Sequence, residues 1–140
     1  MAKLRHLAIV VKDLEASARF YEKIFDMKRA FEAKGLAIYL TDGIMNLAVL
    51  DYAGVNRPGA DTADGRLGIH HFGFRIEDFK ATEARIAAEG GTYCYDFGKP
   101  DSMNYERKFK DLEGNIFDIS EKGWFGALDE PVKTPEGALS

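Results

Sequence analysis

Apolar and polar residues follow a pattern along the chain that predicts a strand, a helix and three further strands. Residues 4–11 are rich in apolar and β-branched side chains and predict the first strand. Asp13 stands where a helix N-cap is expected, and residues 14–25 place their apolar side chains on one helical face. Three short apolar runs separated by turn sequences follow, at 28–33, 36–40 and 44–52. The first half therefore predicts a βαβββ module.

The same order of elements is predicted again in the second half. A segment rich in Gly, Pro and Asp at 53–66 is interpreted as a linker, and Asp78 is the second expected helix cap. The predicted elements after the linker are a strand at 67–76, a helix at 79–89 and strands at 92–96, 105–110 and 115–121. We expect one domain over 1–125, with module one at 3–52 and module two at 67–122, and a flexible C-terminal tail at 126–140. Two such modules side by side predict an α+β fold that forms an open, incomplete barrel.

Each module opens on the same short sequence. His6-Leu7-Ala8-Ile9-Val10-Val11-Lys12-Asp13-Leu14 matches His71-Phe72-Gly73-Phe74-Arg75-Ile76-Glu77-Asp78-Phe79 in residue class at every position except Val10 and Arg75. An internal repeat of this kind indicates a pseudo-symmetric fold. Because both copies carry a histidine at the same place, His6 and His71 are expected to face each other.

Alternation along the strands assigns these histidines to one face of the sheet. His6 and Ala8 share a face, as do His71 and Gly73, while their bulky apolar neighbours belong under the helices. The same reasoning on the last strand directs Asp118 inward. A buried carboxylate needs a partner, and two histidines with one carboxylate form a facial triad that suits a divalent metal. Fe(II) is favoured, with Mn(II), Zn(II) or Ni(II) as alternatives.

Other candidate residues are less favoured as parts of the site. His70 has the wrong parity for a ligand and is expected to be structural or partly exposed. Glu121, three residues after Asp118, is a second-choice ligand. Cys94 is the only cysteine, which excludes an internal disulfide and fits a reducing compartment.

Composition is that of an ordinary globular protein, with 46% hydrophobic and 30% charged residues and a net charge of −4. A nucleic-acid surface would need a basic stripe, which we do not find. No apolar run approaches the ~20 residues of a membrane span, and we expect no signal peptide before the first strand. We therefore expect a cytoplasmic protein that acts on a small molecule, with no nucleic acid or membrane as partner.

The chain resembles the vicinal oxygen chelate superfamily over residues 3–122. The resemblance rests on the βαβββ repeat, the H-x-x-x-x-V-x-D-L opening and the turn Asp111-Leu112-Glu113-Gly114-Asn115. The superfamily includes glyoxalase I, methylmalonyl-CoA epimerase, fosfomycin-resistance thiol transferases, extradiol dioxygenases and bleomycin-binding proteins. The resemblance implies metal ligands at His6, His71 and Asp118, although the family usually has Glu at the last position. Counting from Gly43 puts the fourth ligand of the family at Leu47, which cannot coordinate.

A site with three ligands is similar to that of the extradiol dioxygenases, so this activity on a small oxygenated molecule is the favoured prediction. Tyr105 and Arg107 are the predicted catalytic residues, and Arg75 is a further candidate near the site. The expected lining of the site is apolar and aromatic: Leu47, Val49, Tyr93 or Tyr95, and Met103. The alternatives are a glyoxalase-like lyase or isomerase, a thiol transferase, and a binding or resistance protein without turnover. Trp124 and Phe125 are interpreted as a hydrophobic anchor, with closure of the site or a dimer surface as alternatives, and a homodimer is expected.

Overall fold

The computed structural model describes residues 1–53 and 59–127. Within these ranges the chain forms eight strands, two α-helices and one short 3-10 helix at Ala60–Ala63. In chain order the main elements are β1 (Lys3–Val10), α1 (Leu14–Phe25), β2 (Lys28–Ala33), β3 (Ala37–Thr41), β4 (Asn46–Leu50), β5 (Gly68–Arg75), α2 (Phe79–Ala88), β6 (Thr92–Phe97), β7 (Glu106–Lys110) and β8 (Ile116–Ser120).

The eight strands form one mixed sheet in the order β2-β3-β4-β1-β5-β8-β7-β6. The two modules meet where β1 and β5 pair antiparallel, and within each module the first strand pairs in parallel with the last. The sheet does not close, since β2 and β6 remain at its edges. The predicted α+β fold of two βαβββ modules in an open barrel is therefore confirmed.

Both helices begin at the predicted caps and cover one face of the sheet. The carboxylate of Asp13 accepts a hydrogen bond from the Ala16 amide, and that of Asp78 accepts one from the Ala81 amide, each at 3.0 Å. Such caps satisfy amides that the first helical turn leaves without partners. Ala18 of α1 packs in a buried cluster with Ile38, Leu40 and Val49 of the sheet, and the core beneath α2 contains Ile76, Phe109 and Ile119. None of the described helices is long and apolar enough to cross a bilayer.

The opposite, concave face carries small and aromatic residues. Its module-one half is a buried cluster that includes Ala8, Val10, Ala37, Tyr39, Ala48, Leu50 and Tyr52. Leu47 and Val49 lie on the other face and pack beneath α1, so their prediction as part of the site lining was wrong. The strand pairing explains the error, because His6 pairs with Asn46 as His71 pairs with Ile116. Ala48, not Leu47, is thus the counterpart of Asp118.

A short segment after β8, Trp124–Ala127, crosses from module two to module one. The Thr41 hydroxyl donates to the Gly126 carbonyl at 2.8 Å, and the Phe125 ring stacks on Phe31 with centroids 4.7 Å apart. Ala127 is fully buried, so the folded part extends at least to residue 127, beyond the predicted start of the tail at 126. The remaining tail and linker residues 54–58 lie outside the described residues, whereas Ala63 of the predicted linker is buried against the concave face.

Candidate metal centre

His6, His71 and Asp118 lie on three adjacent strands, β1, β5 and β8, and all three side chains are buried. Gly73 is the register partner of both His6 and Asp118. A Cβ at position 73 would stand 2.7 Å from the Trp124 ring and 3.1 Å from the His6 Cβ. The missing side chain therefore leaves room for the Trp124 ring beside His6.

Three electron-pair donors meet at this point. His6 Nε2 lies 3.2 Å from His71 Nε2, and Asp118 Oδ2 lies 3.6 Å and 3.3 Å from these two nitrogens. Ligands at ~2.1 Å from one ion stand roughly 3.0 to 3.4 Å apart at octahedral or tetrahedral angles. The observed spacing is therefore close to that of three ligands on one face of a single ion.

Asn46 fixes the orientation of the His6 ring. Its Oδ1 lies 2.7 Å from His6 Nδ1, and its Nδ2 donates to the Phe125 carbonyl at 2.9 Å. Since the amide oxygen can only accept, His6 carries its proton on Nδ1 and directs the Nε2 lone pair into the cluster. Burial lowers the pKa of His6 to about 4, so the ring is neutral at pH 7, the form that binds metals.

Lys108 and Glu106 also point into the concave face, which sequence reasoning missed. The Lys108 Nζ lies 2.7 Å from Asp118 Oδ1, 2.9 Å from Glu106 Oε2 and 3.4 Å from His71 Nε2. Burial alone would lower the pKa of Lys108, but the two carboxylates outweigh it and hold the pKa above its ordinary value. The alternation of β7 could have placed both residues on the side opposite Phe109.

Trp124 covers the His6 side of this cluster. Its ring stacks on the His6 imidazole with centroids 4.6 Å apart and an interplanar angle of 3°. Its indole nitrogen donates to Glu106 Oε1 at 2.6 Å. Because Lys108 takes the other oxygen of Glu106, both oxygens of this carboxylate are already engaged.

The donors present fit a divalent metal ion. Asp118 Oδ2 is buried and accepts no hydrogen bond from the described residues, although Oδ1 of the same carboxylate is paired with Lys108. A buried carboxylate oxygen that accepts no hydrogen bond, close to two imidazole Nε2 atoms, is costly unless a cation is bound there. His6, His71, Glu106 and Asp118 could all hold an ion by distance. With Glu106 engaged elsewhere, the arrangement favours three protein ligands with open positions.

Tyr105 and Arg107, the predicted catalytic residues, point away from this centre. The Tyr105 ring packs against Phe79 of α2, and its hydroxyl donates to Asp96 at 3.0 Å. Arg107 forms ion pairs with Glu83 of α2 and with Asp96. Both side chains lie on the helix face of the sheet, Tyr105 just before β7 and Arg107 within it, so the structure places the two predicted catalytic residues outside the concave site.

The other candidates also lie elsewhere. Glu121 accepts a hydrogen bond from the Phe79 amide at 2.7 Å and thereby helps to cap α2, which excludes it as the alternative ligand. Arg75 donates to the Ile76 carbonyl at the end of β5. Tyr95 approaches Lys108, with its ring centroid 5.7 Å from Nζ, whereas Tyr93 packs on Phe109 of the helix face. Met103 is 58% exposed.

A small cavity adjoins the centre, and a larger one lies further away. Next to His6 and His71 a space of about 10 Å³ remains, with Tyr39, Tyr52 and Phe97 in its wall. This is room for roughly one water molecule or ion. A cavity of about 530 Å³ lies at the end of the sheet and is lined in part by Thr62 and His70, behind His71.

Two side-by-side βαβββ modules define a protein of the glyoxalase-like class. The family model described as Glyoxalase/Bleomycin resistance protein/Dioxygenase superfamily matches residues 3–119. The chain therefore belongs to this superfamily, and the predicted family is confirmed. A comparison with curated protein sequences found no match.

Solved structures show the same fold at low sequence identity. Methylmalonyl-CoA epimerase from Mycobacterium tuberculosis has a TM-score of 0.67 and 20% identity, over 83% of this chain and 85% of that one. The 2,3-dioxygenase LapB from Pseudomonas sp. KL28 has a TM-score of 0.65 and 14% identity, over 93% of this chain but 43% of that one. A hypothetical protein from Bacillus halodurans C-125 has a TM-score of 0.68 and 16% identity, over 84% and 92%.

Proposed function

We propose that this chain is an Fe(II)-dependent dioxygenase of the extradiol type that acts on a small catecholic molecule. The observation that supports it most directly is the orphaned Asp118 Oδ2 held 3.3 to 3.6 Å from two imidazole nitrogens. Two histidines and one carboxylate with open positions are the ligand set of non-haem Fe(II) oxygenases. Bound iron would supply the common site for the organic substrate and dioxygen, and the path for electrons between them.

The residues of the centre set its charge. With both histidines neutral, Asp118 and Glu106 contribute two negative charges and Lys108 one positive charge, so the protein part carries −1. A divalent ion would bring the total to +1. Such a centre attracts a singly deprotonated catechol and stabilises its negative charge in a buried environment.

Lys108 and Glu106 have defined roles in this proposal. Lys108 holds Asp118 Oδ1 and so turns Oδ2 toward the metal position. Glu106 is held by Lys108 and Trp124, which keeps this second carboxylate from filling an open position. Tyr39, Tyr52 and Phe97 would present aromatic walls to a flat substrate. Because the present cavity is about 10 Å³, substrate entry requires side chains such as Trp124 to move.

One observation favours a second candidate function. Glu106 lies close enough to His6, His71 and Asp118 to join them around one ion. A site with a second carboxylate suits a proton-transferring isomerase or epimerase, and methylmalonyl-CoA epimerase shares the fold. The engagement of both Glu106 oxygens ranks this candidate below the dioxygenase, and a thiol transferase or a binding protein ranks lower still.

Oxygen uptake tests the proposal. Protein stripped of metal is loaded anaerobically with Fe(II), Mn(II) or Zn(II) and given a panel of single-ring catechols while dissolved oxygen is recorded. We expect uptake equimolar with catechol loss for Fe(II) alone, abolished in Asp118→Asn and kept in the matched control Glu121→Gln. No uptake with any catechol, together with metal-dependent exchange of deuterium into a carbonyl substrate, would instead establish the isomerase.

A further inference from the structure

His70 stands beside the centre with both ring nitrogens engaged. Its Nδ1 lies 2.7 Å from His71 Nδ1, and its Nε2 lies 2.8 Å from the Thr62 hydroxyl. The Thr62 hydroxyl also contacts the Gly59 carbonyl. A row of hydrogen-bonding groups therefore runs from a backbone carbonyl to the far side of a metal-ligand histidine.

The proton positions along this row follow from its first member. A carbonyl oxygen can only accept, so the Thr62 hydroxyl proton points to Gly59. The Thr62 oxygen must then accept from His70 Nε2. A neutral His70 ring protonated on Nε2 offers a lone pair at Nδ1. His71 must supply the proton between the two Nδ1 atoms, which leaves its Nε2 without one.

The other side of His71 requires the same arrangement. The Lys108 ammonium has donors only, and it lies 3.4 Å from His71 Nε2. A proton on this nitrogen would face the ammonium group. The contact with His70 on one side of the His71 ring and the contact with Lys108 on the other thus both favour the tautomer in which His71 Nδ1 is protonated.

We propose that His70 is a positioning residue that fixes the His71 tautomer and ring orientation, so that the His71 Nε2 lone pair is directed at the metal position. The inference rests on the metal centre of the proposed function but not on its reaction. Hydrogen-bond partners on the far nitrogen of ligating histidines commonly raise metal affinity by roughly 10- to 100-fold. Such partners are usually carboxylates, carbonyls or water, and here the partner is a second histidine whose own tautomer is set by Thr62.

Nuclear magnetic resonance of the metal-free protein tests the tautomer directly. The sequence has three histidines, so two-bond ¹H–¹⁵N spectra at pH 7.5 contain three imidazoles that single variants assign. We expect His71 to be protonated on Nδ1 in the wild type and to lose this preference in His70→Phe. A wild-type His71 protonated on Nε2 would overturn the proposal, whatever the variants do.

Zn(II) titration measures the consequence. His70→Phe should weaken binding at least tenfold, and His70→Asn, whose amide oxygen can accept from His71 Nδ1, should restore affinity to within about threefold of the wild type. Equal loss in both variants, or no loss in His70→Phe, would contradict the positioning role. These readouts use neither catechol nor dioxygen. A wild type that binds Zn(II) as expected, but shows no oxygen uptake when it is loaded with Fe(II), would therefore refute the dioxygenase and leave this inference standing.

Discussion

His6 Nε2 and His71 Nε2 lie 3.2 Å apart, although 65 positions separate the two residues in the chain. The antiparallel pairing of β1 with β5 brings them together, because each histidine belongs to the first strand of its module. The Asn46 amide and the His70 ring each occupy the Nδ1 side of one imidazole. Both Nε2 atoms therefore point to the same position, where Asp118 adds a carboxylate oxygen.

Gly73 should be intolerant of even one methyl group. In Gly73→Ala the new Cβ would meet the Trp124 ring at 2.7 Å, and overpacking of this kind costs about 1–3 kcal/mol. Trp124 is the only tryptophan, so its displacement should shift the emission spectrum to the red. Urea unfolding and intrinsic fluorescence measure the two effects. The control Gly65→Ala, strained at φ +70 but with open space around its Cβ, should lose stability with no change in emission.

Lys108 should stabilise the metal-free protein strongly. Lys108→Met leaves Asp118 and Glu106 as two buried carboxylates without their shared cation, a change that typically costs about 3–5 kcal/mol. Because a divalent ion would restore part of the lost positive charge, added Zn(II) should raise the melting temperature of Lys108→Met by more than that of the wild type. Lys110→Met, an exposed position on the same strand, is the matched control. Similar melting temperatures for the two metal-free variants would refute this role.

Acid should destabilise the metal-free protein through His6. The folded-state pKa of His6 is about 4, lowered from 6.5 mainly by burial. As pH falls from 6.5 towards 4, His6 becomes protonated in the unfolded chain but stays neutral in the folded protein. The stability of the folded protein therefore declines across this pH range and is highest above it. Between pH 7.5 and 5, His6 should lower the free energy of unfolding by about 2 kcal/mol.

Urea unfolding measures the free energy of unfolding at pH 7.5 and at pH 5, and the loss of stability is the difference between the two values. A variant that is less stable at both pH values can therefore still be compared with the wild type. His6→Gln should show a smaller pH dependence than the wild type. An identical pH dependence in both proteins would mean that His6 is not buried in its neutral form.

Much of the fold could be predicted because its signals are local. Asp13 and Asp78 mark the helix starts, and the repeated openings place His6 and His71 on corresponding strands. Alternation on β8 correctly turned Asp118 to the concave face, since Phe117 and Ile119 pack beneath α2.

The failures arose where the sequence was assigned to the wrong strand face or where contacts form only in the folded sheet. Counting from the turn at Gly43 assigned Leu47 to the site, but β4 begins in different register from β8 relative to its turn. The sequence did not predict Lys108 as part of the site because a lysine is rarely buried unless paired. Its partners Glu106 and Asp118 come together only in the folded sheet. Trp124 lies beyond the last strand, where no periodicity predicts its contact with His6.

Metal content tests the central claim most directly. The wild type, purified without added metal and passed through gel filtration, should retain about one divalent ion per chain by mass spectrometry. His71→Ala should lose this ion while keeping the far-UV circular dichroism of the folded protein, and Glu121→Gln should match the wild type. A His71→Ala variant that keeps its full metal complement would contradict a centre built on His6, His71 and Asp118.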